Sequence, residues 1–145
     1  MLPTLSEESI ELNNYSSEGG VAKAYRDVKG ELRLIKVELY GESGKMFEEY
    51  YYQNGLLIFV YSEDHRYNVP FYITPEKAKE IGSEPFDSQK TKIVENRYYF
   101  DNMKMIRWLN TGNKQVNATS KDFKETEKET IKFSREITAK FKKKT

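Results

Sequence analysis

Between residues 19 and 109, apolar and polar positions alternate with period two in short runs, and turn residues separate the runs. Period two is the signature of a strand, whose successive side chains point to opposite faces. The runs are VAKAYRD (21–27), ELRLIKVELY (31–40), KMFEEYYYQ (45–53), LLIFVY (56–61), TKIVENRYYFD (91–101) and MKMIRWL (103–109). Lys29-Gly30, the GESG stretch at 41–44, Asn54-Gly55 and Asp101-Asn102 stand between consecutive runs. Asn-Gly is the sharpest of these signals, because a type I′ turn requires positive φ at both central positions. In 31–40 the apolar set slips by one residue between Leu34 and Ile35, which predicts a β-bulge near Leu34.

The period then changes. From about Thr119 to Lys143 the chain has no Gly or Pro, and Phe123, Thr126, Thr130, Phe133, Ile137 and Phe141 recur every three or four residues. That pattern predicts an amphipathic helix with a thin apolar stripe, capped by Thr119 and Asp122 and fraying in its last turn. Residues 62–90 break the strand rhythm and contain Pro70, Pro75 and Pro85. There, Thr74-Pro75-Glu76 predicts a helix start and Gly82 a stop, bounding a short helix at 75–81.

Three segments share one pattern. Tyr51-Tyr52-Gln53-Asn54-Gly55-Leu56-Leu57 matches Tyr99-Phe100-Asp101-Asn102-Met103-Lys104-Met105, and more weakly Tyr25-Arg26-Asp27-Val28-Lys29-Gly30-Glu31-Leu32. Each unit is a hairpin with its turn in the middle, so three in succession give a meander of six strands. The expected fold class is α+β: an antiparallel meander of about six strands with a long C-terminal helix, about 119–143, packed on one face. Residues 1–18 read as an N-terminal arm, and 19–145 as one domain. Strict alternation puts Tyr50 and Tyr52 opposite Tyr51, and Leu56, Ile58 and Val60 opposite Leu57, Phe59 and Tyr61. Trp108 falls on the face of Ile106. Both faces of the sheet are therefore apolar, so both are covered or one is a binding surface. The helix is the natural cover for one face; the arm and the 62–90 excursion are candidates for the other.

Composition narrows the chemistry. The 145 residues include 11 Tyr, 8 Phe and 1 Trp, no Cys and a single His. Without cysteine there is no disulfide, Cys-based zinc site or thiol nucleophile. A formal net charge of +1 argues against a general polyanion binder, and no nucleic-acid partner is expected. The charge is nonetheless uneven. Residues 1–18 carry four Glu and no Lys or Arg, whereas 116–145 carry nine Lys or Arg against five Asp or Glu. The ends are expected to attract each other or to be solvated. No apolar run reaches the ~20 residues of a membrane span, and no signal peptide is visible.

No motif carries a reaction. Asp64 and His65 would need a distant carboxylate to complete the three ligands of a metal site, and one His with sequence-adjacent acids is weak evidence for that; no Ser sits in a nucleophile motif. Glu48 and Glu49 are strand neighbours facing opposite ways, so they cannot act as one acid–base pair. Gly41-Glu42-Ser43-Gly44-Lys45 lacks phosphate-loop spacing. No catalytic residue, metal or cofactor is expected. Seven of the eleven tyrosines lie between residues 40 and 72. Tyrosine offers contact area at low entropy cost together with a polar tip, which suits recognition. The candidate partner-binding set is Tyr61, Tyr67, Phe71 and Tyr72, with His65 and Arg66 at its rim; packing of a loop over the sheet is the competing account.

EGGVAKAYRD, GELRLIKVELYGESGK, EEYYYQNGLLIFVY, YNVPFYI and ENRYYFDNMKMIRWLN together resemble a bacterial family of uncharacterised secreted or periplasmic proteins with repeated tyrosine, asparagine-glycine hairpins and a C-terminal helix. The resemblance covers about residues 18 to 142, with a departure at Met103, where a glycine-like turn residue is expected. It implies an envelope location and supplies no catalytic residues; on the residues alone, a cytoplasmic location is equally open. The expected function is a non-enzymatic binding or interaction protein of the bacterial cell envelope, with a protein or small molecule as partner. A hydrolase using carboxylates assembled by the fold, and a self-associating structural module, are the alternatives.

Overall fold

The computed structural model describes residues 6–142. Seven strands form one antiparallel sheet in sequence order: β1 (Ser6–Glu11), β2 (Gly20–Arg26), β3 (Leu32–Gly41), β4 (Gly44–Gln53), β5 (Leu56–Arg66), β6 (Lys92–Asp101) and β7 (Lys104–Leu109). A short helix, α1 (Pro75–Ile81), lies between β5 and β6, and a long helix, α2 (Lys121–Lys142), ends the described chain. The α+β meander is as expected, with one strand more.

The extra strand is β1, drawn from the N-terminal arm. It pairs with β2 along its whole length, from Ser6 opposite Arg26 to Glu11 opposite Val21. Its acids meet β2 cations rather than the basic C-terminal segment: Glu7 lies 3.7 Å from Lys23 and Glu8 3.0 Å from Arg26. Leu12, just beyond the strand, is only 1% exposed and anchors the arm in the core. Leu2, Leu5 and the terminal residues 143–145, part of the expected fraying turn, lie outside the described residues.

The three repeated hairpins share a bulge, although residues 27–31 connect the first and two-residue turns connect the other two. In each, the outgoing strand carries a bulge one residue past its first core position. Tyr25 opposes Leu34 while Arg26 opposes Leu32, so Arg33 bulges, next to the position predicted. Tyr51 opposes Phe59 while Tyr52 opposes Leu57, and Tyr99 opposes Arg107 while Phe100 opposes Met105; Ile58 and Ile106 are the extra residues. A bulge reverses facing beyond it. This corrects two expectations: Leu57 and Val60 share the buried face while Ile58 is 38% exposed, and Trp108 packs on the core while Ile106 is 60% exposed. The turns themselves sit at Asn54-Gly55, with φ 52° and 78°, and at Asn102-Met103, with φ 51° and 65°.

α2 covers one face. Phe123, Ile137 and Phe141 join Ala22, Ile35, Tyr50, Val60 and Tyr98 in a single core. Polar groups trapped beneath the helix are satisfied: Tyr52 Oη lies 2.7 Å from Ser134 Oγ, and the Met105 amide donates to Glu127 Oε2 at 2.7 Å. The N-cap is Ser120, whose Oγ accepts from the Phe123 amide at 3.2 Å; Thr119, one residue short, bonds to Asn117 instead. α1 is bounded as predicted, with Thr74 accepting from the Lys77 amide and Gly82 closing it at φ 70°. The loop around α1 is tied to the β3–β4 hairpin by the Tyr67 and Phe71 amides, which donate to the carbonyls of Ser43 and Glu42.

Candidate functional site

Which strand side chains the molecule covers is decided by facing alone. Every strand side chain that is fully buried lies on the α2 side; on the opposite face, from β1 to β7, none is. Tyr50 and Tyr52 are therefore interior, while Tyr51 and Tyr61 belong to an uncovered surface. The arm does not cover that surface either: Leu12 and Tyr15 pack on the α2 side, Tyr15 edge-on to Phe133 at 5.6 Å.

The uncovered face is built in rows across the strands. One row runs Tyr25, Leu34, Tyr51, Phe59, Tyr99 and Arg107 from β2 to β7. Phe59 is its centre, with ring centroids 5.8 Å from Tyr51 and 4.9 Å from Tyr99, and Arg107 lies 5.8 Å above the Tyr99 ring. Tyr25, Tyr51 and Tyr99 are the first residues of the three repeat units, so the repeat delivers one tyrosine to the same row each time. The next row carries Lys23, Lys36, Glu49, Tyr61 and Arg97; the one after it Val21, Glu38, Phe47, Glu63 and Glu95. Charges of both signs alternate with rings, so the face has no single-sign field to draw a polyanion.

Tyr61 is the hub of the polar part. Its hydroxyl lies 2.5 Å from Glu63 Oε2 and 2.6 Å from Glu95 Oε2. One phenol hydrogen serves one carboxylate at a time; the Arg97 guanidinium, 3.5 Å from Glu95 and 5.0 Å from the Tyr61 ring, supplies the second counter-charge. Glu63 also faces His65 Nε2 at 2.9 Å, and the His65 ring meets Phe47 edge-on at 5.2 Å. Burial, and then the two carboxylates, push the Tyr61 hydroxyl well above its ordinary pKa, while its hydrogen bond to Tyr61 first, and to His65 next, holds Glu63 below its own. A depression of about 300 Å³ opens beside them, between Lys36, Phe47, Glu49 and Tyr61. A general acid at neutral pH needs a carboxyl raised, not lowered, so Glu63 is tuned as a fixed anion.

The six residues singled out from sequence divide among four places. Tyr61 and His65 lie on the uncovered face. Arg66 ends β5 on the other side, 2.9 Å from Asp64. Tyr67 packs edge-on to Phe86 at 5.1 Å and with it borders a smaller recess next to Lys45, His65 and Ile93. Phe71 and Tyr72 stack edge-on at 5.7 Å on the loop before α1 and are 48% and 50% exposed. The aromatic row of Tyr51, Phe59 and Tyr99 is the larger surface and escaped the sequence reading, although its signal was the first tyrosine of each repeat.

Among the described residues, no three His, Asp or Glu side chains are placed to hold a metal ion, and no helix is long and apolar enough to cross a membrane. No family model, curated protein or solved structure compared with the chain matches it.

Proposed function

We propose that this is a non-enzymatic binding protein that meets its partner with the sheet face α2 leaves bare. The observation that carries the reading is the split in burial: rings on one side are interior, while Tyr25, Tyr51, Phe59, Tyr61 and Tyr99 are half-buried side by side on the face opposite α2. A contiguous aromatic patch left partly open to solvent costs solubility and is kept where it is used. Interleaved charges give such a face orientation and selectivity, and aromatic anchors give it affinity. A protein or a small polar–aromatic molecule suits it better than nucleic acid. The proposal includes a partner in the bacterial cell envelope, and this part of it rests on the sequence resemblance alone.

The test is capture from envelope extract by three immobilised forms. Phe59→Thr/Tyr99→Thr keeps β-branched residues on the strands and removes the central rings; it is expected to lose the captured partner while the circular dichroism spectrum is unchanged. Tyr67→Ala/Tyr72→Ala, away from the row, is expected to keep it. Loss from the second variant alone moves the site to the α1 loop, and retention by both removes the proposal.

A further inference from the structure

A second surface has a different chemistry. α2 and the β6–β7 hairpin bound a groove of about 890 Å³ whose floor is the half-buried pair Met103 and Ile131. Lys104, Lys124, Lys128, Lys132 and Arg135 stand around it. Among the described residues none of these five has a carboxylate within ion-pair distance, a state shared by other surface cations such as Lys29 and Lys114; what sets the five apart is that they stand around one groove. Lys124, Lys128 and Lys132 follow one another at i, i+4, which aligns three like charges along one stripe of α2. The acids of the outer face, Glu125 and Glu129, lie on the neighbouring stripe. Of the two acids in the groove wall, Glu127 is held by the Met105 amide and Glu136 is engaged by the Tyr15 hydroxyl.

We propose that this groove binds an extended acidic peptide segment of a partner protein, carboxylates on the lysines and alternate apolar side chains on Met103 and Ile131. The spacings match: side chains on one edge of an extended chain recur about every 6.8 Å, and residues four apart on a helix rise about 6 Å, a difference flexible lysines absorb. The wall has no aromatic ring for a base to stack on, which disfavours single-stranded nucleic acid. A recess between two elements cannot lie flat on a lipid surface, and a chain of net charge +1 has little long-range pull toward one. This site is independent of the sheet face.

Fluorescence anisotropy at about 50 mM salt, where exposed charge pairs are weakly screened, tests it with a fluorescein-labelled peptide of alternating Glu and Leu. The wild-type chain is expected to bind it more tightly than a Glu–Ser peptide of the same charge. Lys124→Gln/Lys128→Gln/Lys132→Gln replaces exposed side chains with ones of similar helix propensity, so the fold is retained, which circular dichroism checks; affinity is expected to fall by about tenfold or more. Lys29→Gln/Lys77→Gln/Lys114→Gln, with the same charge change elsewhere, is expected to bind as wild type. Absence of binding, equal loss in both triple variants, equal affinity for the Glu–Ser peptide, or tighter binding to anionic vesicles or single-stranded DNA each overturns the proposal.

Discussion

Met103 occupies a position that favours glycine. Its φ of 65° is left-handed, a region that costs a residue with Cβ about 1–2 kcal/mol, while glycine gives back part of that through its freer unfolded chain. Met103→Gly is therefore expected to raise the unfolding free energy measured in urea by a net of roughly 0.5–1 kcal/mol, and Gly55→Ala at the equivalent turn to lower it by a similar amount. Glu48 is the other residue at odds with its surroundings. It faces the α2 side, where burial pushes its carboxyl above the usual range while hydroxyls of Tyr50, 2.9 Å away, and Ser62 pull it back. A raised carboxyl stabilises the fold fully below its unfolded pKa, and that contribution is lost as pH rises through the folded one. Glu48→Gln is thus expected to raise the melting temperature at neutral pH, with the gain shrinking to nothing below about pH 4 as the wild-type carboxyl protonates. A constant difference across pH would show that charge burial is not the cause.

α2 has a thin stripe because the sheet supplies the bulk. Thr130 and Ser134 are 9% and 4% exposed, small enough to let the sheet's tyrosines approach, and Ser134 meets the Tyr52 hydroxyl at 2.7 Å. Tyr52→Phe leaves that serine without its partner and is expected to cost about 1 kcal/mol in chemical denaturation. Ile137 is 1% exposed at the centre of the contact, and Ile137→Ala is expected to cost about 2–5 kcal/mol. Leu56→Ala, on a residue 40% exposed beside the turn, is the matched control and is expected to change stability by under about 1 kcal/mol. The helix itself was legible, because 3.6-residue periodicity is a local property. Its cap moved by one residue, since Ser120 and Thr119 offer equivalent hydroxyls and only the entry path of the chain selects between them.

Across the whole molecule, the tyrosines couple the fold to alkali. Burial raises Tyr50 and Tyr98 well above the ordinary 10.0, and pushes Tyr52 up to about 12 against the pull of Ser134. On the open face Tyr51, through burial and its bond to Glu49, also stands at about 12. A raised phenol stabilises the fold fully below pH 10, and the contribution disappears as pH climbs toward the folded value. Absorbance at 295 nm and far-ultraviolet circular dichroism, followed from pH 9 upward, are expected to show buried-tyrosine ionisation coinciding with unfolding. Ionisation complete near pH 10 in a chain still folded would mean the interior tyrosines are not shielded. The sheet's margins also act at this scale. Among the described residues β1 is an edge of the sheet, and its Glu7 and Glu11 set charge beside the edge, which disfavours edge-to-edge assembly.

The sequence by itself determined the meander, the two helices, the repeated hairpins and the alternation that sets Tyr51 against Tyr50 and Tyr52, because each follows from periodicity and turn chemistry within a few residues. It did not reveal β1, whose polar run carries no strand signal of its own; pairing with β2 and the burial of Leu12 create that strand. Nor did it place Val60 and Trp108, since Ile58 and Ile106 look like ordinary strand residues until partner strands force two against one. Above all, tertiary structure decided which apolar face is interior. Both faces of the sheet are greasy in sequence, and a single helix has one side of the sheet to lie on; the side it leaves is the surface on which a partner is proposed to bind.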